Sequence, residues 1–317
     1  MHKTKTALLM FLSCLCIYSQ AWSASYSLTN MGPDFKDFVK AYRLKTPDER
    51  WVGWKSFEGK YTKFYDAGIC KTGDVGCETL KRSRLDDFFK KLPTFETSMW
   101  AMFDRADEIS SAQITQFRKT FPNLGADIPV VFMPSLLGFN GRAVEIQGLN
   151  NLLIAPDSLL NRADDVSIVF SHEFFHVYQF NRLSGKKIFW TMSSYLWFEG
   201  FATWVSMQQN PGASDSAALV DFNLGRFCAE RSNVQLAASE FTKFTSISLN
   251  DPKAEEVYTD WFLTAGKSNP KRRGYCLGLQ LFDKLTSTLN FADLVDLDEA
   301  AFSPYVSEGI SSMAAGK

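Results

Sequence analysis

Apolar side chains recur at three-and-four spacing through residues 33–121: Phe35, Phe38 and Val39, then Leu85, Phe88 and Phe89, then Met99, Met102 and Phe103. That period marks helices burying one face, so this half is predicted to be a helical layer whose Phe and Trp side chains pack inward. The pattern then changes. Ile128–Met133 is a short apolar run, Arg142–Gln147 alternates polar with apolar, and Leu152–Ile154 is a third run, with Gly138, Gly141 and Gly148 as punctuation. These read as three edge-like strands of a small sheet. A helix follows from about Asp164 to Gln179, capped by Asp164 or Asp165, with Val166, Val169, Phe170, Phe174 and Val177 on its buried side. It is apolar nearly all round, which places it inside the protein and makes each polar residue on it expensive. A second apolar helix covers about Thr191–Met207 and ends at Asn210-Pro211-Gly212. The remainder to about Leu289 reads as helical, including Tyr275–Leu285, and the small, polar tail from Ser307 is expected to fray.

Composition narrows the class. With 45% hydrophobic and 22% charged residues in 317, the chain has the makeup of an ordinary globular protein, long enough to need no staples. Its formal charge of -1, with no block of like charge, argues against a nucleic-acid partner. The first residues differ from the rest: His2, Lys3 and Lys5 form a basic head, Ala7–Ile17 an apolar run, and Ala21-Trp22-Ser23 a small-x-small cleavage site. Residues 1–23 therefore read as a secretory signal peptide, too short to span a bilayer, and the mature protein as exported, periplasmic or secreted, without stable membrane insertion. Lipid attachment at Cys14 ranks below cleavage, because Phe11-Leu12-Ser13 fits a lipoprotein signal poorly. Cys70, Cys77, Cys228 and Cys276 remain after cleavage. In an oxidising compartment the near pair Cys70 and Cys77 is the natural local disulfide, which leaves Cys228 with Cys276.

Only two histidines survive cleavage, and they stand together in His172-Glu173-Phe174-Phe175-His176. Spacing of four on a helix puts both imidazoles on one face, where they can meet one Zn²⁺, with Glu173 beside them to reach a bound water. Two imidazoles and a carboxylate buried without a metal would be costly. A catalytic zinc takes three protein ligands and one open position. A third histidine does not exist, since Gln179 and Arg182 stand where a longer histidine motif would continue. The third ligand must be a carboxylate or, second, a thiolate. Glu199, an acid amid Trp197, Phe198, Phe201 and Trp204, is the first candidate, with Asp260, Glu230 and Cys228 next. Gly200 and Ala202 are expected to let its helix approach the histidine helix closely.

His172-Glu173-x-x-His176 followed by Glu199-Gly200-x-Ala202 resembles the gluzincin metallopeptidases, thermolysin and aminopeptidase N among them, and looks most like a bacterial group of zinc-dependent proteases. The similarity covers about residues 127–207. It implies His172, His176 and Glu199 as zinc ligands, Glu173 as general base, and an edge strand, Leu149–Ile154, that pairs with an extended substrate. The chain departs from the thermolysin pattern at Thr203, where an acid would orient a histidine; that role passes to Asp164 or Asp165. It also lacks the oxyanion histidine, so a tyrosine is expected, Tyr275 first and Tyr258 second. The Lys271-Arg272-Arg273 run reads as a solvated face.

The resulting expectation is an α+β, zincin-like fold with a small mixed sheet over an active-site helix, otherwise mainly helical. Residues 24–126 form a helical N-terminal layer and 127–317 a catalytic domain, the two as one compact unit. The expected activity is Zn²⁺-dependent hydrolysis of a peptide or protein substrate. The rival is a non-catalytic binding or assembly protein with a structural zinc, for which Glu173 would have no use.

Overall fold

The computed structural model describes residues 26–121, 128–159 and 165–316, the side chain of Asp165 excepted. The expected signal segment, residues 1–23 with Cys14, and Asp164 lie outside the described residues. The first stretch holds β1 (Tyr26–Asn30) and six helices, α1 (Gly32–Tyr42), α2 (Pro47–Gly59), α3 (Thr62–Gly68), α4 (Val75–Lys91), α5 (Glu96–Asp104) and α6 (Ala106–Thr120). Local signals set their ends: α2 begins at a Thr46/Glu49 capping box with Pro47 in its first turn. Their aromatic stripes point inward, with the Phe35 ring centred 5.3 Å from Phe88, 5.6 Å from Phe57 and 6.2 Å from Phe103.

Next come β2 (Ile128–Phe132), β3 (Gly141–Ile146) and β4 (Leu149–Ile154). The sheet order is β1-β2-β4-β3, with β1, β2 and β4 parallel and β3 antiparallel to β4, so the protein is α+β with a small mixed sheet. Two expectations change here. β1, in residue register from Tyr26 opposite Ile128 to Asn30 opposite Phe132, adds a strand to an N-terminal segment expected to be helical. The strand expected at the edge, Leu149–Ile154, lies inside the sheet, and β3 is the edge on the site's side. Its hairpin turn, Gln147-Gly148, has φ of 55° and 80°, the left-handed geometry a two-residue hairpin requires.

Behind the sheet runs α7 (Asp165–Arg182), which packs against β3, β4 and α8 (Met192–Gln209). After α9 (Asp215–Ala218), α10 (Phe222–Ala229), α11 (Arg231–Phe241) and α12 (Ala254–Phe262), helix α13 (Arg273–Thr286) crosses α8. The crossing sits on two glycines. A Cβ on Gly200 would lie 2.6 Å from the Gly278 carbonyl carbon, so Gly200 serves contact with α13 and not, as expected, with α7. The chain ends in α14 (Phe291–Val295) and α15 (Glu299–Ala314). The tail therefore does not fray at Ser307: Phe302, Val306 and Ile310, spaced by four, are fully buried in α15, which packs on α11 and α8. Disulfides join Cys70 to Cys77 and Cys228 to Cys276. One cluster of buried apolar side chains runs from Met31 to Ile310. Among the described residues no helix is long and apolar enough to cross a membrane.

Candidate metal centre

His172 and His176 lie one turn apart on α7, both buried, with their Nε2 atoms 3.2 Å from each other. From α8, Glu199 sets Oε2 3.2 Å from His172 Nε2 and 3.5 Å from His176 Nε2. Among the described residues this is the one group of three such donors gathered closely enough to share an ion. The triangle suits a tetrahedral ion, because metal bonds of about 2.0–2.1 Å hold donor atoms about 3.3 Å apart. The charges also match. Burial works to raise the Glu199 carboxyl, yet the two imidazoles hold it well below the usual carboxylate range, so it stays an anion. Burial works to lower His176, and the Glu199 charge nevertheless raises it. Two imidazole nitrogens and an anionic oxygen thus lie close enough to one point to share a cation.

Glu173 is not part of this triangle. Its Oε2 accepts the Ala143 backbone N–H of β3 at 3.1 Å, which aims the carboxylate along the sheet edge and leaves Oε1 without a partner among the described residues. The approach depends on Gly141, where a Cβ would lie 2.6 Å from Val169 Cγ1 and 2.7 Å from Glu173 Cγ. Tyr275, at the start of α13, lays its ring on that of His172, with centroids 5.9 Å apart and planes at 26°. Burial, with the Glu199 charge, pushes its hydroxyl well above the ordinary tyrosine range, and Tyr258 is raised for the same reasons, so both stay protonated as donors.

All of these groups line one cavity of about 680 Å³, walled by aromatic residues that include Phe180, Trp190, Tyr195 and Phe198. Its walls are strained. Among the described residues six non-glycine positions have φ from 50° to 62°, and four of them, Leu137, Trp190, Val220 and Arg272, line this cavity. Such backbone persists only where surrounding contacts hold it, and it clusters at functional sites. One support is visible. Buried Asp157 accepts the Ser135 and Leu137 backbone N–H groups at 2.9 Å each, holding the left-handed Leu136-Leu137 turn. Burial pushes its carboxyl up to about 6 although those hydrogen bonds pull the other way. A larger hollow of about 970 Å³ beside Glu240, Asp260 and Trp261 contains none of the metal-type donors described above.

Several expected residues fall elsewhere. Asp260 is occupied by Lys267 and Ser268, and Cys228 is in a disulfide, so neither is a ligand. Thr203 donates to the Glu199 carbonyl at 2.7 Å and orients no histidine. Buried His176 Nδ1 has no partner among the described residues; Asp164 and the Asp165 side chain, expected in that role, lie outside them. The basic run is not uniformly solvated. Arg273 bonds Glu240 at 2.7 Å, and Arg272 covers the Tyr275 ring at 4.1 Å inside the cavity. Gly141, Tyr195 and Arg272 were not legible as site residues; the left-handed backbone of Arg272 has no sequence signature. Comparison of the chain with protein-family models, curated proteins and solved structures found no match.

Proposed function

We propose that the protein is an exported zinc metallopeptidase of the gluzincin type, in which His172, His176 and Glu199 hold the ion. The observation that carries this reading is the near-equilateral triangle of His172 Nε2, His176 Nε2 and Glu199 Oε2, with a fourth acid, Glu173, outside it. A small sheet packed on the histidine helix, the layout expected of a zincin, supports it. So do two disulfides, which suit an oxidising compartment. Zinc held there supplies Lewis acidity and lowers the pKa of a bound water to about 7.

The chain's own residues do the rest. Ala143 donates its N–H away from β4, so the outer edge of β3 faces the cavity and its neighbouring backbone groups are placed to pair with an extended peptide. Glu173, anchored through Oε2, takes the proton of the attacking water on Oε1 and returns it to the leaving nitrogen. Tyr275, neutral and held against His172, donates a hydrogen bond to the substrate carbonyl oxygen as charge develops there. Aromatic walls limit water around the reacting bond.

The test is Glu173→Gln. The side chain keeps its shape and the three ligands are untouched, so bound zinc should match the parent while hydrolysis of peptides falls roughly 10²- to 10⁴-fold. A variant that hydrolyses as fast as the parent would make the zinc structural and the protein no enzyme of this kind.

A further inference from the structure

Arg272 is the feature that this chemistry leaves unused. Its left-handed backbone, φ 62° and ψ 29°, stands immediately before α13 and turns the side chain into the cavity. The guanidinium lies 4.1 Å over the Tyr275 ring, and one nitrogen donates to the Leu219 carbonyl at 3.2 Å. Among the described residues no carboxylate pairs with it and its remaining N–H groups have no partner. Its neighbour Arg273, by contrast, has carboxylate partners: it bonds Glu240 and Ser268 and lies 3.8 Å from Asp260 Oδ2, with only its Nε unpartnered. A half-buried arginine pinned by strain and stacking but lacking an anion is a preformed fork for a carboxylate.

The charge of the cavity points the same way. Its basic residues are Arg142 and Arg272, and its acids are Glu173 and Glu199. These cancel, so a divalent ion leaves the cavity with an excess of two positive charges, a field that favours an acidic ligand. The two ring separations bound the distance from the Arg272 guanidinium to the His172 ring at about 10 Å. An extended peptide advances about 3.3–3.6 Å per residue, so that limit corresponds to about three residues, and the fork is reached within about three residues of a bond held beside His172.

Resting on the peptidase reading above, we infer that Arg272 anchors a substrate carboxylate within about three residues of the scissile bond, making the enzyme selective for peptides acidic near that bond. The carboxylate can be the chain's own C-terminus or an acidic side chain, and matched probes separate the two. They are an N-acetylated tri-phenylalanine ending in a free carboxylate, the same peptide ending in an amide, and an amide-ended peptide whose last residue is aspartate. The aromatic walls suit all three.

The parent protein should cleave one of the acidic probes at least roughly 10-fold faster, as kcat/KM, than the neutral amide, since a charge-assisted hydrogen bond supports a factor of that size. Arg272→Gln should bring that ratio to within about threefold of unity, and Arg272→Lys, which keeps the charge and loses the fork, should fall between. Unchanged zinc content and thermal midpoint in both variants show that the fold is intact. Binding of reduced-amide analogues, which cannot be hydrolysed, is measured beside cleavage. If nothing is cleaved but acidic analogues bind more tightly and Arg272→Gln abolishes the difference, the anchor stands and the peptidase reading falls. Cleavage and binding indifferent to the carboxylate, or a preference that survives Arg272→Gln, overturns the anchor and leaves the peptidase reading in place.

Discussion

At the scale of single residues, the proposed chemistry depends on an absent side chain. Glu173 reaches the Ala143 N–H because Gly141 has no Cβ to meet Val169 and Glu173 Cγ. Gly141→Ala places a methyl 2.7 Å from Glu173 Cγ, and the obstacle is relieved only by moving the glutamate or the strand. None of the three proposed metal ligands is among the atoms nearest that methyl. Zinc content of the variant should therefore stay at the parent level while peptide hydrolysis drops roughly 10- to 100-fold, the scale expected when a reacting group is displaced by about 1 Å. Full activity with full zinc would show that Glu173 does not need the β3 anchor. The same residue-level economy holds at Asp157, a buried carboxylate that orders the cavity rim through two backbone N–H groups rather than by reaching the cavity itself.

Among the helices, the crossing of α8 and α13 matters most, because α8 carries Glu199 and α13 carries Tyr275. Gly200 is the next residue after Glu199, and it rests on Gly278, one turn beyond Tyr275. Close backbone approach is what brings a carboxylate from one helix and a ring from the other to the same histidine. Two effects oppose each other in Gly200→Ala. Alanine favours the helix by about 0.8–1.0 kcal/mol. Its Cβ would sit 2.6 Å from the Gly278 carbonyl carbon and 2.8 Å from its oxygen, against backbone that no rotamer change can move aside. Overpacking of that kind costs about 1–3 kcal/mol, so the clash should win. Thermal denaturation should show a lower midpoint for Gly200→Ala even with excess chelator present; a midpoint at or above the parent's would mean that the crossing has slack.

For the molecule as a whole, an ion at this centre would tie α7 to α8, and the Cys228–Cys276 disulfide ties α10 to α13 next to Tyr275. An ion that binds only the folded chain adds stability of about 4 kcal/mol at a thousandfold excess over its dissociation constant. Chelation by EDTA should thus lower the thermal midpoint of the parent. Glu199→Ala, which removes one of three ligands, should begin with the lower midpoint, bind little zinc and respond little to EDTA. If EDTA shifts both proteins equally, the third ligand lies elsewhere and the geometry around Glu199 is an ion pair with the histidines alone.

Local order was legible from the chain alone. Helix period set the inward apolar stripes of α1, α4 and α5, and spacing of four put His172 and His176 on one face of a helix. A lone acid among tryptophans and phenylalanines marked Glu199, and the four cysteines from Cys70 onward pair as expected. These inferences use periods of a few residues or the expense of burying charge. What tertiary structure alone decided involves partners far apart in sequence. Tyr26–Asn30 is a strand because β2 lies beside it about a hundred residues later, and Leu149–Ile154 is interior because both neighbours found it. The tail beyond Ser307 holds its helix because Val306 and Ile310 are covered by other elements, which overrides its small, polar composition. Arg272 and Arg273 are adjacent in sequence yet enter different environments, since a single left-handed residue before a helix turns one side chain into the cavity and leaves the other against Glu240. Periodicity reports which face of an element is buried; only the packed chain determines what that face meets.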